Sequence, residues 1–163
     1  MFHNGTGPMI RFWSSLAAIF LVALALISAV RAEPADFLKD VASIKAGNHD
    51  CPHCMLAGAD LSNQCVKQGN LKGADFDHAR AVLMCMSFAD FRGATFRGAD
   101  LSGANLAHAD VDGADFTGAN LTITSIKGTD LRRAKGLTQL QLDQACGDKD
   151  TQAPAGLTVR ICD

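Results

Sequence analysis

The sequence predicts an all-β solenoid with a thin interior, and three observations predict it. A five-residue phrase recurs without insertion or deletion, its large residue falling at 61, 66, 71 and so on to 131. Of these fifteen centres fourteen are Leu, Phe, Val, Ile or Met, and Ala81 is the exception. The chain has no Tyr and one Trp but 15 Gly, too few bulky side chains for a deep globular core.

A period of five fits neither the 3.6 of a helix nor the 2 of a flat strand, so the chain must turn a corner at each repeat. Ten residues two before a centre are Ala, small enough for two walls to approach there. Ten residues one before a centre are Asp or Asn; with Ser and Gly they are expected to face water or make turns. The phrase reads Ala59-Asp60-Leu61-Ser62-Asn63, Ala74-Asp75-Phe76, Ala89-Asp90-Phe91-Arg92-Gly93, Ala99-Asp100-Leu101, Ala104-Asn105-Leu106, Ala114-Asp115-Phe116 and Ala119-Asn120-Leu121.

These residues resemble the pentapeptide-repeat family, and the resemblance covers residues 51–133. It implies a right-handed quadrilateral β-helix with four repeats in each coil, hence about four coils here. Residues twenty apart would then lie over one another at roughly the 4.8 Å strand spacing. The centres sort into four columns. Phe76, Phe96 and Phe116 form an aromatic ladder; Leu71, Phe91, Val111 and Leu131 form the second column; Val66, Met86, Leu106 and Ile126 form the third. Leu61, Ala81, Leu101 and Leu121 form the fourth, with a gap at Ala81.

Four segments follow: a signal peptide at 1–32, a capping helix and linker at 33–50, the repeat β-helix at 51–133, and a C-terminal cap with a short helix and tail at 134–163. Leu16 to Val30 is an apolar run preceded by Arg11 and followed by small residues at the two positions a signal peptidase reads, which predicts cleavage after Ala32. The competing reading is a retained anchor, since Phe12 to Val30 is long enough to span a bilayer. Met9 offers a second start with a shorter leader. Cleavage predicts a bacterial periplasmic or secreted protein, with no membrane attachment afterwards. From Glu33 onward 17 acidic residues face 13 basic ones, a net charge of −4, which favours neither a nucleic-acid partner nor a polyacidic surface.

All six cysteines lie in the exported part, an even number suited to disulfides. Cys65 and Cys85 precede centres one coil apart, so a bridge between the first two full coils is expected. Cys146 and Cys162 are expected to pin the tail, Leu157 to Ile161, back onto the solenoid. Cys51-Pro52-His53-Cys54 has the C-x-x-C spacing of thiol oxidoreductases, but no βαβ pattern surrounds it. A structural pair is the favoured reading; redox activity, or metal binding with His49 and His53, are the alternatives.

At the ends, Phe37, Leu38, Val41 and Ile44 are expected on one face of a helix from Ala35 to Ala46. Thr138 and Gln141 form a capping box opening a helix that carries Leu140 and Leu142 and stops near Gly147. Asp90, Asp110 and Asp130 stack behind Asn70, with Lys72, Arg92 and Arg132 beside them to offset repulsion; a solvated charged face is favoured over a cation site. Val82, Leu83, Phe88 and Ile123 are apolar at outward positions. They are either a docking surface or, the favoured reading, a patch that the chain's own ends cover.

No catalytic, metal or cofactor-binding residue is assigned: a filled rod offers no pocket with converging polar groups. The expected function is a structural or protein-binding scaffold, not an enzyme, with no cofactor and a protein partner. One alternative is a periplasmic thiol-disulfide protein acting through Cys51 and Cys54. The other, implied by the family, is a gyrase-interacting DNA mimic, which export and the nine Asp against eight basic residues in 51–133 disfavour.

Overall fold

The computed structural model describes residues 34–162. The predicted leader and its cleavage site lie outside them. The fold follows from where each of the five amides in a repeat finds its acceptor. Around Phe91, the amides of Phe91 and Gly93 donate forward to Asp110 and Asp112 carbonyls at 2.7 and 2.9 Å. The Thr95 amide donates back to Ala74 at 3.0 Å, and the Ala94 amide closes a turn onto the Phe91 carbonyl at 3.0 Å. The Arg92 amide has no backbone partner; it donates to the Asp90 carboxylate at 3.0 Å.

That fifth bond explains the Asp/Asn position. All ten Asp or Asn residues before a centre accept the amide two residues on, from Asp60 with Ser62 to Asp130 with Arg132. The expectation that they simply face water is too weak: the side-chain oxygen completes the turn.

Parallel pairing links residues twenty apart, from Asp50 with Asn70 to Asp115 with Lys135. Every centre from Leu56 to Leu131 is buried, and so are the Ala positions. The Phe76, Phe96 and Phe116 rings stack at 4.9 and 5.0 Å with interplanar angles of 19° and 9°. Phe91 meets Phe76 and Phe96 edge-on at 5.8 and 5.4 Å. Ala81 and Met84 are both fully buried three residues apart, so a large side chain at the normally small position supplies volume next to the small centre.

From His53 to Gly128 the third residue of each turn has a left-handed φ, and its neighbour before it does not, which is the type II pattern; the last turn, Leu131–Ala134, departs from it at Arg133. Glycine fills only some of these positions. Gly103, at φ 67°, also lies under the Leu83 side chain, where an added Cβ would come within 2.7 Å of Leu83 Cδ2.

Helix α1, Pro34–Lys45, lies at the N-terminal end of the coils: Ile44 is buried, while Phe37 and Val41 pack against the core. The Met55 amide donates to the Asp40 carboxylate at 2.9 Å, which sets the helix's rotation. Leu38 is therefore 65% exposed and does not belong to the buried face as expected. Helix α2, Gln139–Gln144, opens with the capping box between Thr138 and Gln141. The buried Gln141 amide nitrogen also donates at 2.9 Å to the Ala119 carbonyl, an acceptor that no further coil reaches, and at 2.9 Å to the Phe116 carbonyl, which already accepts the Ala119 amide. Leu142 is buried and Leu140 exposed. Beyond α2, Cys146 pairs with Ser125 and Gln152 with Asp130, so the cap continues the parallel register with a small slip.

Acid should loosen this lattice. In Asp60, Asp100 and Asp115 the hydroxyl of Ser62, Ser102 or Thr117, followed by that residue's amide, holds the carboxyl below its ordinary range. In Asp90 and Asp130 the Arg92 or Arg132 side chain acts first, with the amide assisting. Because folding lowers these pKa values, their stabilisation is complete above the unfolded carboxylate pKa of about 4 and is lost as pH falls through the folded values. Urea midpoints are predicted to stay level from about pH 7 to 5 and to drop progressively below about pH 4. A midpoint unchanged down to pH 2 would refute this.

Candidate functional site

The wall between two corners of the coil brings together most residues of interest. Its outward column contains Cys65, Cys85, Asn105 and Ser125, paired in parallel and continued by Cys146. One flanking corner carries Leu83, Gly103 and Ile123. The other carries Gln68, Phe88, His108 and Gly128.

At these corners apolar side chains are held outward in an unfavourable backbone conformation. Leu83, Phe88 and Ile123 have φ of 57°, 60° and 59°, yet are 60%, 52% and 72% exposed. Left-handed φ is rare for bulky residues and most adverse for a β-branched one. Burial does not offset that cost. Val82 is only half-buried beside them. The expectation that the chain's own ends cover this group is not met by residues 34–162. Phe88 is organised: its ring stacks on His108 at 4.9 Å and 19°, and Lys67 Nζ lies 5.8 Å from its centroid.

Ile123 gives a direct test of strain without burial. Ile123→Gly is predicted to raise stability by about 1 kcal/mol, because glycine adopts this φ freely and little packing is lost. Thermal unfolding measures it, and a clear destabilisation would mean the side chain supports the fold.

The sulfurs of Cys65 and Cys85 are 2.6 Å apart. Cys65 is exposed, Cys85 half-buried, and these are the two cysteines not joined in the structure. Cys146 joins Cys162 with Cα atoms 5.4 Å apart, and Cys51 joins Cys54 with Cα atoms 5.5 Å apart. The latter two are the ends of a turn in which the Cys54 amide reaches the Cys51 carbonyl at 3.3 Å and His53 has φ 59°. Pro52 suits the second position of this type II turn. The Cys51–Cys54 motif therefore sits on a β-turn, away from the helix N-terminus that activates such thiols in oxidoreductases. The Asp40 carboxylate lies within 4.8 Å of both sulfurs. His49 and His53 are not in that group, and the His53 ring lies over Gly73.

The aspartate column is neutralised locally. Arg132 meets Asp130 at 2.6 Å, Arg133 meets Asp112 at 3.0 Å, and Arg92 pairs with Asp90 and reaches Asp110 at 3.5 Å. Asp110, Asp112, Asp130, Arg132 and Arg133 line a groove of about 330 Å³. Sequence reasoning missed this groove because Arg133 and Asp112 belong to neighbouring outward columns that only the turn geometry brings together.

A rod of stacked five-residue turns, closed by a helix at each end and bearing an apolar-cornered wall, defines a repeat solenoid. Within this chain, residues 85–122 and 99–135 match the model of the pentapeptide-repeat family, described as pentapeptide repeats (8 copies). Among solved structures it is similar to HetL, a pentapeptide repeat protein involved in heterocyst differentiation regulation from the cyanobacterium Nostoc sp. strain PCC 7120. The identity is 27% and the TM-score 0.52, over 68% of this chain and 51% of HetL. It is also similar to Rfr23 from the cyanobacterium Cyanothece 51142, at 22% identity and TM-score 0.47, over 71% of this chain and 98% of Rfr23. QnrB1, a plasmid-mediated fluoroquinolone resistance protein, is 16% identical with TM-score 0.34, over 64% of this chain and 57% of QnrB1. The chain thus spans about half of HetL and nearly all of Rfr23. No curated protein matches the sequence significantly.

Proposed function

We propose that this protein is an exported scaffold, a β-helix of about four coils with helical caps, that binds a protein partner through the wall flanked by Leu83, Phe88 and Ile123. One observation carries the reading: three large apolar side chains are exposed at turn positions where glycine or asparagine would be easier. A fold indifferent to them would discard them, since they add strain without burial. Export, followed by a periplasmic or secreted life, rests on the Leu16–Val30 run and the small residues before Glu33. The disulfides suit that compartment.

The test is capture from an envelope fraction by the purified protein and by its Leu83→Asp variant. A specific binder retained by the first and lost by the second, with thermal unfolding unchanged, supports the wall as the interface. Equal capture by both proteins rejects it.

A further inference from the structure

Cys65 and Cys85 occupy the position that Asp or Asn holds in ten other repeats, and this gives them a property the remaining cysteines lack. At that position the lattice aims the amide two residues on at the side chain. The backbone at Lys67 and Ser87 accordingly favours the thiolate form of the neighbouring cysteine, where the amides of Ser62 and Ser102 donate to the carboxylates of Asp60 and Asp100. A site built to hold a carboxylate also holds a thiolate. Parallel register then places two such sites one above the other, with the sulfurs 2.6 Å apart.

We propose that Cys65 and Cys85 form a thiol-disulfide exchange site, reversibly oxidised by an external disulfide, with Cys65 the attacking and Cys85 the resolving thiol.

The two sulfurs are not equivalent. Cys65 is the more exposed, and the Cys85 thiol, the Lys67 amide and the nearby Lys67 ammonium pull its pKa down. Sharing the proton with Cys65, together with burial, pushes Cys85 up. Cys65 is therefore the thiol that ionises first and attacks first, and Cys85 the one that gives up its proton later. The Cys65 thiolate attacks one sulfur of R–S–S–R′, forming a mixed disulfide and releasing R′–S⁻, which takes up a proton. Cys85 then loses its proton and attacks Cys65 Sγ. The Cys65–Cys85 bond closes and R–S⁻ leaves to become R–SH. The protein gives up two electrons and two protons, and the external disulfide ends as two thiols; the reverse sequence oxidises a dithiol. Of the six cysteines, all within the described residues, these are the two whose sulfurs are not joined; Cys51–Cys54 and Cys146–Cys162 are disulfides.

This activity is independent of the scaffold reading, and its test needs no binder. The intact protein is equilibrated across glutathione to glutathione disulfide ratios, quenched in acid and read by site-resolved mass spectrometry of labelled thiols. Cys65 and Cys85 are expected to convert together, as one two-electron couple, at ratios where the other two pairs stay oxidised. Cys85→Ser should accumulate a glutathione adduct on Cys65, while Cys65→Ser should load Cys85 several-fold more slowly. The proposal is overturned if the pair stays oxidised until the other bridges open, since it is then a fixed cross-link. It is equally overturned if the two thiols never join, or if the two variants load at equal rates. Repeating the oxidation with a disulfide-bearing unfolded polypeptide separates the two sources of substrate. Faster transfer than with glutathione disulfide makes polypeptides the couple; slower or equal transfer makes small disulfides the couple.

Discussion

Replacing Phe96 by alanine should destabilise the protein by about 3–5 kcal/mol, the upper range for removing a buried aromatic ring. Phe96 is fully buried and touches three other rings, stacked between Phe76 and Phe116 and edge-on to Phe91. Each aromatic pair adds roughly 0.5–1.5 kcal/mol beyond area burial, so this position loses more than a terminal ring would. Relief by collapse is restricted. The wall carrying Phe96 is held above and below by the Phe96 amide on Asp115 and the Thr95 amide on Ala74, at 2.7 and 3.0 Å. Moving it inward would break the ladder on both sides, so the void stays. Phe116→Ala, with one stacked ring lost, should cost less. Urea unfolding of the two variants beside the parent gives the comparison. A Phe96→Ala loss under about 1.5 kcal/mol would mean that the square tube contracts freely, contrary to the hydrogen-bond accounting.

The ladder also shows what was legible in the sequence. A strict repeat assigns every residue an inside or outside position before any coordinate is known, so the columns of Phe76, Leu71, Val66 and Leu61 could be written directly from the numbering. Backbone conformation was harder to read. Leu83, Phe88, His108 and Ile123 adopt the same left-handed turn as Gly93 or Gly113, and nothing in a leucine or isoleucine letter announces it. The turn is imposed by the coils above and below. The role of Asp and Asn was half legible: their recurrence was plain, but the amide they satisfy is visible only once the other four amides of the repeat are placed.

The ends obeyed less regular rules. A helical pattern alone could not choose whether Leu38 or Val41 faces the coils, because the choice depends on the angle at which α1 enters. That angle is fixed by one side-chain bond, Asp40 to the Met55 amide. The Thr138–Gln141 box was readable from four letters, whereas the second duty of Gln141, capping the Ala119 carbonyl, arises from where the solenoid stops.

Cutting the C-terminal clamp should have the second largest effect. Cys162→Ser removes a link between residues separated by 16 in sequence, and constraining a loop of about that length is worth roughly 3 kcal/mol in the chain-entropy model. The tail retains some attachment without it. The Gly147 amide donates to Arg160 at 2.9 Å, Gln139 exchanges hydrogen bonds with Thr158, and Leu157 and Val159 rest against the core. These contacts are few and near the surface, so the loss should appear first as local opening. Hydrogen exchange is expected to speed up over residues 146–162 before the central coils respond. Opening also uncovers Ser125 and Asp130, whose pairing partners are Cys146 and Gln152. A freed parallel edge is a template for a second chain, so the variant should self-associate as well as melt earlier. An unchanged melting temperature, with exchange over 146–162 as slow as in the parent, would show that the cap holds without its sulfur link.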